Sequence, residues 1–117
     1  PGAGIKIQGS LITGKSGFAG EISRLPLDIP WGPKTADSFR ASTEAAAKVI
    51  ISISAVLDPD RFIVYGEHIS DAHIDRIWSI CRSCLPKQMI PEIVRSKDFS
   101  TDYEQGLKHL LLNSLEV

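Results

Sequence analysis

A chain of 117 residues, 43% hydrophobic and 23% charged, has the size and composition of one globular domain built around a single core. Its 13 basic and 14 acidic residues are interspersed and leave a formal net charge of -1, which excludes the broad basic surface that holds nucleic acid. Two cysteines are too few for the disulfide framework of a small secreted domain, so a cytoplasmic protein is expected.

The chain opens on Pro1-Gly2-Ala3-Gly4, without a methionine and without the charged and apolar regions of a signal peptide, and is expected to be cut from something longer. "AGIKIQGSLITG" predicts a hairpin: Ile5-Lys6-Ile7 alternates, Gln8-Gly9 turns, and Ser10 to Thr13 returns. A loop from Gly14 to Gly20 follows, then a short extended piece, "EISRL", closed by Pro26. A packed strand has no need of glycines on both sides of Phe18-Ala19, whereas a backbone that passes close to a ligand does. Glu21 and Arg24 are therefore candidate ligand contacts, set against the plainer readings of a solvent-exposed strand-end acid and an arginine that pairs with it or lies on the surface. "PLDIPWGPK", with Pro26, Pro30 and Pro33, reads as an irregular connector in which Trp31 is a packing anchor.

"TADSFRASTEAAAKVIISISAVLD" predicts the first long helix, capped by Thr35 or Asp37. Its apolar stripe runs through Ala45, Ala46, Val49, Ile50, Ile53 and Leu57, and its small residues suit close packing on a sheet. Lys48, Ser52 and Ser54 interrupt the apolar run well short of the roughly 18 residues of a membrane helix, so no membrane partner is expected. Asp58-Pro59-Asp60 stops the helix, and "RFIVYG" is a continuous apolar run typical of a buried parallel strand.

After Gly66-Glu67-His68, "SDAHIDRIWSICRSCL" predicts a second helix capped by Ser70 or Asp71, with Ile74, Ile77, Trp78, Cys81 and Cys84/Leu85 facing inward. Trp78 belongs to the core or to a dimer face. His68, His73, Cys81 and Cys84 imitate a zinc set, but His73 and Cys84 would lie about 16 Å apart along one helix at ~1.5 Å per residue. Both thiols are at the wrong end of the helix for a redox pair, and two small buried apolar residues are expected instead. "MIPEIVRS" is another strand, and "STDYEQGLKHLLLNSLEV" carries a capping-box pattern before Glu104 and leucines at 107, 110, 111 and 115, which predicts a third helix with His109 on its surface or against a partner. The order β-β-β-α-β-α-β-α, alternating in its second half, predicts an α/β domain with a mixed sheet and helices packed on it.

Three stretches, "GAGIKIQGSLITGKSGFAGEIS", "LDPDRFIVYGEHIS" and "IPEIVRSKDFSTDYEQGL", flank that alanine-rich helix in an order and spacing that resembles the C-terminal lobe of the ROK family. The family groups sugar-responsive repressors, reading frames of unassigned role and sugar kinases. The resemblance implies a lobe of the ribonuclease-H-like, actin-like sugar kinase fold, with residues 1–117 as a single domain of a longer bacterial protein whose N-terminal lobe precedes it. It implies sugar contacts from Gly17, Gly20, Glu21 and Arg24, and a degenerate nucleotide site at Gly2, Gly4, Gly66 and Glu67.

The departures from that pattern bear on function. Gly20-Glu21-Ile22-Ser23-Arg24 keeps the Gly-Glu of the family's sugar motif but has Ser23 for its second glycine and Arg24 for its histidine. That histidine and a cysteine cluster hold zinc in many members, and "LPLDIPWGPKT" has no cysteine, so no metal is expected. Glu67 and His68 replace two glycines of the nucleotide turn, and a carboxylate beside a polyphosphate repels it by roughly 1 kcal/mol or more. Neither Asp-x-Gly-x-Thr nor a P-loop occurs, so no catalytic residue is assigned. The implied function is a sugar-sensing or interaction lobe of a transcriptional regulator, needing no cofactor, with a sugar, the preceding lobe and a second copy as partners and DNA held elsewhere. The alternatives are the lobe of an atypical, glucokinase-like sugar kinase using ATP and magnesium, and a structural remnant in a subunit interface.

Overall fold

Phe62 and Val64 enter one apolar cluster and Ile63 and Tyr65 another, because successive side chains of a strand leave its opposite faces. All of them are buried, as the uninterrupted apolar run requires. This strand, β3 (Arg61–Tyr65), organises the computed structural model, which describes residues 2–7, 10–12, 14–16, 20–66, 68–96 and 110–113.

Around it lie β1 (Gly2–Ile7), β2 (Ser10–Ile12), β4 (Glu92–Ser96) and β5 (Leu110–Asn113), in the sheet order β2-β1-β5-β3-β4. The hairpin pairs β1 antiparallel to β2, with Ile5 opposite Ile12, as alternation in the sequence predicts. β3 and β4 are parallel, with Phe62 opposite Ile93, as the strand-helix alternation predicts. The domain is a mixed α/β structure, with its helices packed against the sheet.

Helix α1 (Pro33–Asp37) and helix α2 (Phe39–Leu57) replace the one long helix expected from Thr35. Ser38 is the reason. Its extended backbone (φ -93, ψ 121) ends α1, and its side chain accepts from the Ala41 amide at 3.1 Å, so it caps α2 where Thr35 or Asp37 was expected to. Thr35 is engaged elsewhere, donating its hydroxyl to the Pro30 carbonyl. Asp58, in a left-handed conformation (φ 47), closes α2 by donating its amide to the Ser54 carbonyl.

Along α2, Ala46, Ala47, Val49 and Ile50 are fully buried and meet Phe62, Val64, Ile77, Cys81 and Ile93 in the main core. Three consecutive alanines allow that close approach, and Thr43, buried among them, satisfies its hydroxyl on the Phe39 carbonyl at 2.7 Å. Helix α3 (Asp71–Cys84) packs beside α2 and against β4, and starts at Ser70 as its sequence predicts. Trp31 and Trp78 are both half-buried and packed against this core. Among the described residues no helix is long and apolar enough to cross a membrane.

The expected third strand is a 3-10 turn, Ile22–Arg24, because Ile22 is drawn 3% exposed into the core while its neighbours remain outside. The expected third helix is corrected at residues 110–113, which form β5; the rest of that stretch, with His109, lies outside the described residues. β5 runs antiparallel to β1 and parallel to β3, with Leu111 opposite both Gly4 and Ile63. A short run of leucines carries no period that separates helix from strand, and here two facing strands offer backbone partners on both sides.

Candidate functional site

The Glu21–Arg24 segment is built from its backbone outward. β2 runs back toward the Gly2 end of β1. Gly20 takes a left-handed φ of 94, which a side chain would disfavour, and its carbonyl accepts from the Ile22 amide at 2.8 Å. The turn then closes through Arg24 N to Glu21 O at 3.1 Å and Leu25 N to Ile22 O at 3.1 Å. Ile22 holds it to the core, and the turn lies beside β1.

Glu21 and Arg24 are thereby carried on one turn, both exposed. They form no ion pair with each other, which sets aside the paired reading of Arg24 and leaves a surface arginine beside a ligand contact. A carboxylate and a guanidinium on a pinned turn, neither bonded to another side chain among the described residues, have the donor and acceptor groups to grip a polyhydroxylated ligand. Gly17 falls outside the described residues.

The residues expected at a nucleotide lie on other strands. Gly2 is opposite Asn113 in β1–β5, and Val64 is opposite Leu112 in β5–β3, so Gly2 and the residue after Tyr65, Gly66, are brought to one end of the sheet with β5 between them. That is the carboxyl end of the parallel strands β3 and β5, where open α/β sheets bind ligands. Gly4 is deeper, opposite Leu111, and Gly66 is buried with its carbonyl accepting from Ile69 N at 3.3 Å. Glu67 lies outside the described residues, and His68 is exposed.

At the start of α3, His73 Nδ1 accepts from the Ser70 amide at 3.1 Å while Ser70 Oγ accepts from the His73 amide at 3.4 Å, a reciprocal cap. The Phe39 ring meets His73 edge-on at 4.7 Å, and burial holds the imidazole below its ordinary pKa. Asp71 beside it accepts from Arg95 Nε at 2.8 Å. This histidine serves the helix end, a role the sequence reading did not give it.

Cys81 is buried as expected, and burial first, then the neighbouring Cys84, pushes its thiol up to about 11. Cys84 is exposed, contrary to expectation, because the inward stripe continues from Cys81 to the half-buried Leu85. Among the described residues no group of histidines, cysteines or carboxylates could hold a metal ion.

One further feature was missed in the sequence. The connector at residues 30–33 joins α1 and the start of α2 in forming an open cleft of about 660 Å³ around Trp31. The available signal was a tryptophan between two prolines, one of them followed by a lysine.

No family model, curated protein or solved structure matches this chain.

Proposed function

We propose that the chain is the sugar-sensing and interaction lobe of a ROK-type regulator, of ribonuclease-H-like fold, with no catalysis of its own. The observation that carries this reading is the Ile22-anchored turn, which presents Glu21 and Arg24 together, exposed and unpaired with each other. A carboxylate accepts from vicinal hydroxyls, and a guanidinium donates to a ring oxygen, a hydroxyl or an acidic substituent. A sugar held there against the preceding lobe would favour one angle between the lobes over another, and so report its presence to a DNA-binding part of the parent.

A second reading, an ATP-using sugar kinase, is favoured by the convergence of Gly2 and Gly66 at the carboxyl end of β3 and β5. The same experiment separates the two. The full-length parent is titrated calorimetrically with hexoses, amino sugars and sugar phosphates, with and without ATP-magnesium. Sugar heat that Glu21→Ala reduces at least tenfold, with no heat from ATP, is the expected result. Saturable ATP heat would replace the regulator reading with the kinase, and silence in every titration would leave a structural remnant.

A further inference from the structure

We propose that the cleft around Trp31 is a second ligand site, taking a small flat ring that bears one carboxylate. It shares no residue with the Glu21–Arg24 turn and stands apart from the sugar reading. Its volume of about 660 Å³ falls within the roughly 300–1,000 Å³ of small-molecule sites, and its composition follows their pattern of apolar walls with a few polar groups.

The walls come from Trp31, Pro30, Pro33 and Ala41. An indole and two pyrrolidine rings offer flat, stiff surfaces, which suit a planar ring better than a flexible alkyl chain. They are held in advance of binding. Trp31 packs on the core and donates its amide to the Ile29 carbonyl at 2.9 Å, the prolines fix their own φ, and the buried Thr35 ties its hydroxyl to the Pro30 carbonyl.

The polar groups give the ligand its charge. Lys34 lines the cleft, is exposed, and makes no ion pair with any described carboxylate. Ser38 Oγ spends a lone pair on the Ala41 amide, which leaves its hydroxyl proton to donate. Among the described residues no acidic side chain lines the cleft to oppose an anion. One ammonium matches one negative charge, which favours a carboxylate over a phosphate dianion.

The test is a two-dimensional nitrogen-proton NMR titration of the 117-residue chain with benzoate and with its neutral isostere, benzamide. Trp78→Phe assigns the two indole signals. Benzoate is expected to shift the Trp31 indole signal saturably, and benzamide to bind about tenfold more weakly. Lys34→Ala should bring benzoate to the affinity of benzamide, Lys34→Arg should keep most of the difference, and Glu21→Ala should change neither. The spectra themselves report whether each variant is folded. An unmoved Trp31 signal, a shift confined to Trp78, or equal binding of the two probes would overturn the proposal, leaving the sugar reading to its own test.

Discussion

Cys81 and Cys84 sit three residues apart on one helix and have opposite chemistry. Cys81 is inside the core with its thiol pushed up to about 11, so it is both unreachable and almost wholly protonated at neutral pH. Cys84 is exposed on the last turn. A disulfide-exchange reagent at pH 8 should therefore label one thiol per folded chain quickly and the second only in denaturant, with Cys84→Ser removing the fast phase. Two fast thiols would show that the core around Cys81 opens readily. The sequence stripe placed Cys81 correctly and Cys84 wrongly, because an apolar stripe fixes a direction on a helix and not which of two adjacent residues, Cys84 or Leu85, ends it. Glu21 and Arg24 drew notice in the sequence for a related reason. A charged pair beside glycines stands out locally, whereas the Trp31 cleft depends on a contact between the connector and α2 that no local pattern states.

The ends of elements decide more here than their middles. Ser38 divides what the sequence offered as one helix, since its side chain satisfies an α2 amide only if its own backbone stays extended. Ser70 does the same for α3, with His73 completing the cap through an unprotonated Nδ1. That cap makes α3 sensitive to pH. Burial lowers the pKa of His73 in the folded chain, so below about 6.5 the unfolded chain takes up its proton first. The stability His73 contributes is present above that pH and is lost as pH falls through its lower folded value. Protonation would also remove the acceptor and place a positive charge at a helix N-terminus, where the dipole opposes it. Melting temperatures at pH 7.5 and 5.0 should fall more for the native chain than for His73→Gln, which keeps a capping side chain that does not titrate. Equal falls would remove His73 as the source.

At the scale of the whole molecule, β5 is the piece that local reading could not supply. The hairpin, β3 and α3 were all legible because period, cap and turn lie within each segment. Leu110–Asn113 becomes a strand through partners remote in sequence, Gly4 on one side and Ile63 on the other. Leu111→Pro should accordingly lower stability by about 1–3 kcal/mol or more, because it removes a donor between two strands, whereas Ser10→Pro on the edge strand β2 should cost less. Urea midpoints of the two variants give the comparison, and equal losses would argue that β5 adds little. The placement of β5 also sets an order of events during synthesis. A ribosome that has released only residues up to Ser96 has made β1–β2 and β3–β4, two separate pairs with no strand to join them. The sheet becomes continuous only once Asn113 has cleared the exit tunnel, so until then the nascent chain carries, besides the edges of β2 and β4, the open edges of β1 and β3, which a chaperone, or another nascent chain, can meet first.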